Sequence, residues 1–129
     1  MDIRYLTVDQ VVGFYIKIAR SWNQPIQPIL SRSAIESALT RPQNAANFEN
    51  ADLIRQSAYL LEGLVKAHGF LDGNKRVAFL ATFTFLELNG YTIPPLPDNE
   101  MAEFVLSIAK NEIELGEIEK WLRDRVVSV

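Results

Sequence analysis

Apolar residues recur at three- and four-residue steps through most of this chain, with proline, glycine and asparagine falling between the runs. That period marks amphipathic helices. The first predicted helix opens at Thr7. Thr7 and Gln10 have capping-box spacing, and Leu6 and Val11 have that of a hydrophobic staple. Val8, Val11, Val12, Tyr15, Ile16, Ala19 and Trp22 make its buried face. Asn23 to Leu30, broken by Pro25 and Pro28, is a loop. A second helix starts near Ser31 or Ser33, the latter paired with Glu36 as another capping box. It is expected to stop before Pro42, because the residue preceding a proline disfavours the α region. Arg41 to Asn50 has no helical period. It carries Asn44, Asn47, Asn50 and one large apolar residue, Phe48, and reads as an exposed loop or short hairpin flap.

The third helix is predicted from about Ala51 to Ala67, capped by Asn50. Ile54, Ala58, Leu61, Leu64, Val65 and His68 fall on one stripe, which puts His68 on the buried face at the helix end. A fourth helix runs from Asn74 or Lys75 to Asn89 and stops at Gly90 as a C′ residue. Between Val77 and Leu88 it is apolar nearly all round, as a central enclosed helix must be. Tyr91-Thr92-Ile93 is short and extended, and Pro94-Pro95-Leu96-Pro97 is a rigid turn. Asp98 or Asn99 caps a fifth helix containing Phe104, Val105 and Ile108. A sixth, about Leu115 to Val127, buries Ile118, Trp121, Leu122 and Val126. The predicted fold class is all-α, a six-helix bundle wrapped on the helix at about 75–89, with the 41–50 segment as its flap.

Composition narrows this picture. A chain of 129 residues, 48% hydrophobic and 22% charged, suits one soluble domain spanning residues 1–129. The absence of cysteine excludes a disulfide scaffold and a thiolate nucleophile or metal site, and fits a reducing, cytoplasmic compartment. The start, Met1-Asp2-Ile3-Arg4-Tyr5, lacks the basic and apolar regions of a secretory signal, and no apolar run is long enough for a membrane span. A net charge of −3 argues against a general nucleic-acid binder but leaves room for a small basic site.

Such a site is visible between the third and fourth helices. His68-Gly69-Phe70-Leu71-Asp72-Gly73-Asn74-Lys75-Arg76 concentrates the only histidine, a carboxylate, an amide, two cations and two glycines in one loop. A loop that opens a buried helix leaves backbone N–H groups free at the positive end of the helix dipole, a ready anion site. Gly73 permits positive φ and close backbone approach. Lys75 and Arg76 stand where the dipole disfavours cations, a mismatch costing a few tenths to about 1 kcal/mol unless a polyphosphate sits there. Asn74 is placed to cap the helix or to donate to a phosphate oxygen. Asp72 offers hard oxygen ligation for a magnesium ion bridging phosphates. His68, across the turn, is placed to take a proton from an attacking hydroxyl. Phe70 points inward as an anchor. Taken singly, each residue has an ordinary explanation: a satisfied core histidine, a common turn, two solvated cations. Together, between two apolar helices, they favour a phosphate site. No Walker-type pattern and no paired His or Cys spacing competes with it.

The same loop resembles the signature of the Fic/Doc (Fido) superfamily, broadly H-x-F-x-[DE]-[GA]-N-[GK]-R, at every fixed position. The likeness extends through Ile35–Gln43, Leu64–Ala67 and Phe85–Tyr91, and covers roughly residues 3–125. The resemblance implies nucleotide-dependent transfer to a protein hydroxyl. In AMP-transferring relatives the lysine is glycine and a second arginine follows three residues after the first. Here Lys75 and Phe79 stand at those places, which points to the Doc-like branch, the death-on-curing toxins of toxin–antitoxin modules. That branch implies transfer of the γ-phosphoryl of ATP, with Mg2+, to a threonine of elongation factor Tu, arresting translation. Carried over, His68 is the base, Asp72 the magnesium ligand, and Gly73, Asn74, Lys75 and Arg76 the nucleotide contacts. Arg41, Pro42 and Gln43 would belong to a flap that clamps the target or nucleotide. Gly69 replaces a frequent proline, which is expected to loosen the loop and affect rate.

Some relatives carry an inhibitory [ST]-x-x-x-E-[GN] helix. Here Glu62-Gly63 and Glu49-Asn50 are preceded by Ala58 and Ala45, so self-inhibition is not expected. A cognate, Phd-like antitoxin is then the implied partner, laying an amphipathic segment into an apolar groove. The rival functions are Fic-type AMP or other nucleotidyl transfer, and a non-catalytic, partner-binding Fido domain.

Overall fold

The computed structural model describes residues 2–129. Six helices follow in order: α1 (Val8–Ser21), α2 (Arg32–Glu49), α3 (Leu53–Ala67), α4 (Asn74–Leu88), α5 (Glu100–Ala109) and α6 (Leu115–Arg125). The only strands among the described residues, β1 (Tyr91–Thr92) and β2 (Val127–Ser128), form a short antiparallel pair with Tyr91 opposite Ser128 and Thr92 opposite Val127. The all-α six-helix architecture is thus the one the periodicity predicts. α6 ends sooner than expected, because the chain leaves it at Val126 to pair with β1 instead of continuing to Val127.

α3 and α4 form the centre. α3 packs against α2, α4, α5 and α6, and α4 against α1, α3 and α5. One core cluster joins Val11 and Tyr15 of α1, Ile35 and Ala38 of α2, Leu61 and Val65 of α3, Ala81 and Phe85 of α4, Val105 and Ile108 of α5 and Ile118 and Leu122 of α6. Its one fully buried amide is satisfied: Gln56 accepts from the Tyr5 hydroxyl at 2.8 Å and donates to the Ala51 carbonyl at 3.0 Å. No helix is long and apolar enough to cross a membrane among the described residues.

α2 departs most from the sequence reading. It runs unbroken through Pro42 to Glu49, so 41–50 is neither loop nor hairpin. The apolar face that Ala38, Pro42 and Ala45 lay against α3 repays the proline's missing N–H. Asn50 does not cap α3. It closes α2 in the left-handed conformation, φ 55°, and Asp52 caps α3 by accepting from the Arg55 N–H at 2.9 Å. At the start of α2 the cap is Ser31, accepting from Ala34 N–H at 3.1 Å, not Ser33. The Thr7–Gln10 capping box and the Gly90 stop (φ 90°) are as expected.

Candidate active site

The loop 68–73 joins the C-terminus of α3 to the N-terminus of α4. His68 is the C-cap of α3 at φ 49°, and its side chain is exposed, not buried. The helical stripe that assigned it inward ends at Ala67. Once His68 takes positive φ, the 100° step no longer applies. Phe70 goes in instead, 4% exposed and stacked on Tyr15 with ring centroids 4.5 Å apart and planes 9° apart. The loop thus has an apolar anchor below and a histidine above.

Two further devices hold its path. The Asn74 carbonyl oxygen accepts from Phe70 N–H at 3.0 Å, and its amide donates to the Phe70 carbonyl at 2.7 Å. The cap role foreseen for Asn74 becomes this two-way clamp across the turn. Gly69 is buried and its carbonyl accepts from Leu30 N–H at 2.8 Å and Ser31 N–H at 3.3 Å. A Cβ there would lie 2.5 Å from Ile35 Cγ1. Gly69 therefore lets the loop lie directly against the start of α2, a close approach that a side chain at this position would block.

α4 opens on Gly73 at φ 82°, with no side chain capping it. Val77 N–H reaches the Gly73 carbonyl at 2.9 Å, so the amides of the first turn before it face outward along the helix axis. Asp72 is mostly exposed; its Oδ1 accepts from Gly73 N–H at 2.8 Å and its Oδ2 lies 4.0 Å from the Arg76 guanidinium. Lys75 is exposed and Arg76 partly so. His68, Asp72, Gly73, Lys75 and Arg76 are therefore gathered on one accessible joint. A lone exposed carboxylate beside the uncapped amides of a helix N-terminus is of the kind that would suit a magnesium ion arriving with a nucleotide, because magnesium is held by few carboxylates plus substrate phosphates. No cluster of three His, Cys, Asp or Glu side chains able to cage a metal exists among the described residues.

One residue escaped the sequence reading. Trp22, assigned to the buried face of α1, is 60% exposed and lies under Arg76, whose guanidinium carbon is 4.6 Å from the ring centroid. It too is a C-cap, one residue past the helix whose period assigned it. The signal that could have found it is an aromatic at a helix end followed by an asparagine-proline loop.

The predicted flap residues lie on α2. Arg41 pairs with Glu62 at 2.8 Å and sits over the Tyr59 ring, Pro42 is buried against α3, and Gln43 is exposed on α2. All three are helical, so no flap of the expected kind exists; Arg41 and Pro42 fasten α2 to α3. Phe79, three residues past Arg76, packs edge-on to Trp121 at 6.5 Å and lines an apolar cleft of about 720 Å³ with Phe83, Pro94–Pro97 and Met101. Neither this cleft nor the one of about 570 Å³ between α5 and α6 includes a residue of 68–76.

Comparison with known proteins decides the family. The Fic/DOC family's sequence profile matches residues 5–86, from the start of the fold through the signature loop and most of α4. The chain belongs to the Fic/DOC family. It is also 33% identical over 87 residues to Toxin Doc of Mycolicibacterium smegmatis, an overlap covering 65% of this chain and 67% of that protein. The Fic/DOC signature and the clamped, uncapped joint described above occupy the same residues.

Proposed function

We propose that this chain is a Doc-like toxin that transfers the γ-phosphoryl group of magnesium-bound ATP to a protein hydroxyl. The observation that carries the reading is the α4 N-terminus. It is uncapped by any side chain, opened by a left-handed glycine, and flanked by Asp72, Lys75, Arg76 and an outward-facing His68. In this reading the α4 amides, Lys75 and Arg76 hold the triphosphate, and Asp72 binds the magnesium that the nucleotide brings. His68 accepts the proton of the attacking hydroxyl as its oxygen bonds to the γ-phosphorus. The bond from that phosphorus to the bridging oxygen breaks, and ADP leaves. Positioning and charge stabilisation supply the catalysis, as is general for phosphoryl transfer. Asn74 contributes by holding the turn; one N–H of its amide is left for a phosphate.

Phosphoryl rather than AMP transfer is supported by Lys75 and by Phe79. Where AMP-transferring members place a second arginine, this chain has a ring packed on Trp121. The similarity to a protein named Toxin Doc extends the proposal to a cognate antitoxin partner and to an acceptor in translation, for which a threonine of elongation factor Tu is the first candidate. With that donor and that acceptor the activity would be cytoplasmic. The test is incubation with elongation factor Tu and ATP labelled at either the γ or the α phosphate. Transfer of γ label, lost in His68→Ala and Asp72→Ala, is expected. Label arriving only from the α position would replace this reading with AMP transfer. Growth inhibition undiminished by both substitutions would replace it with a non-catalytic binding role.

A further inference from the structure

We infer that Trp22 is a positioning residue for Arg76, holding its guanidinium ready for phosphate oxygens; the inference rests on the reading of this joint as a polyphosphate site. Arg76 lies in the first turn of α4, where the helix dipole repels a cation. Its carboxylate neighbour, Asp72, is exposed and at 4.0 Å only at the edge of ion-pair contact. The indole face of Trp22, its ring centroid 4.6 Å from the guanidinium carbon, is therefore the other restraint on this side chain, and one that covers a whole face of it. The backbone that carries the indole is fixed, because the Trp22 main-chain N–H donates to the Ile18 carbonyl at 3.1 Å and closes α1. A guanidinium lying over a ring keeps its edge N–H donors free, and those donors are the ones that match phosphate oxygens. Ordering a long side chain before the ligand arrives removes part of the cost of binding. It also accounts for a tryptophan that is 60% exposed beside the signature loop.

The probe is inorganic triphosphate, titrated calorimetrically into the full chain. Trp22→Leu is expected to raise Kd two- to fivefold, the size of an exposed cation–π contact expressed as affinity. Trp22→Phe should restore most of the loss, because it keeps a π face whereas leucine keeps only bulk. In an Arg76→Ala background, Trp22→Leu should add nothing, since Trp22 acts only through Arg76. Equal effects of Leu and Phe, or losses that multiply in the double variant, would overturn the positioning role. If Arg76→Ala weakens triphosphate binding while Trp22→Leu does not, the phosphate site stands and only this inference falls. If Arg76→Ala leaves Kd unchanged, the phosphate site and the inference fall together. Unchanged thermal midpoints for the Trp22 variants would confirm that folding is not being read.

Discussion

A Cβ on Gly69 would meet Cγ1 of Ile35 at 2.5 Å, and Ile35 is itself 1% exposed, so neither side can yield without repacking the core. Gly69→Ala is expected to cost about 1–3 kcal/mol of stability, the range for overpacking. Gly69→Pro should fail to stabilise despite its entropic advantage in the unfolded chain. Urea denaturation checks both, and adding Ile35→Ala should recover part of the alanine variant's loss. Simple addition of the two costs would show that the contact is not the cause. Asn74 offers a second check. Asn74→Ala releases both backbone groups of Phe70, and the Phe70 amide should then exchange with solvent at the rate of an open loop. Retained protection would mean the clamp is dispensable. The chemical types in 68–76 were legible in the sequence, because histidine, aspartate and paired cations announce themselves. The roles of Gly69 and Asn74 were not. A close approach and a two-way backbone clamp exist only once Ile35 and Phe70 have been brought into place from elsewhere.

Helix number and order could be read from periodicity, and the errors fall at the ends. Trp22 and His68 were both assigned inward by extending a stripe one residue past the last helical position, and both turn out at the site. A cap residue leaves the helical path, so its direction follows its own φ and ψ instead of the pattern before it. The error at α2 is of another kind. The rule that proline ends a helix is a local one, and here the burial of Pro42 between Ala38 and Ala45 against α3 overrides it. The local penalty nevertheless remains. Pro42→Ala restores an N–H for the turn and removes the ring's clash, worth up to about 3 kcal/mol, while giving up the burial of a small ring. A net gain of about 1 kcal/mol with unchanged helical circular dichroism is expected. A net loss would show that the packed ring outweighs the backbone defect.

At the scale of the molecule, charge fastens the ends of distant elements together. Arg55 of α3 binds Glu49 at the end of α2 (2.9 Å) and Glu119 of α6 (2.7 Å), and Arg123 of α6 binds Asp52 (2.9 Å) and Glu119 (2.8 Å). The Tyr59 hydroxyl also donates to Glu49. Each carboxyl is held below its ordinary value. Hydrogen bonds from Tyr59 and Arg55 do this at Glu49, and the Arg123 hydrogen bond at Asp52. At Glu119 partial burial pushes upward, but the arginine hydrogen bonds outweigh it. Carboxyls with lowered values bind fewer protons folded than unfolded, so stability rises with pH through their range. It is complete above the ordinary carboxylate values and is lost as pH falls through the lowered ones. Much of the network is solvent-accessible, so its contribution is modest and screened by salt. The expected result is a stability that declines from about pH 5 to about pH 3 in urea titrations. The decline should be shallower in high salt. It should be shallower again in Arg55→Ala, where Glu49 and Glu119 lose a shared partner and their folded values return toward the unfolded ones. An Arg55→Ala slope equal to that of the parent chain would mean that acid acts through other carboxyls, and that α6 is held to α3 by the burial of Ile118 and Leu122 without help from charge.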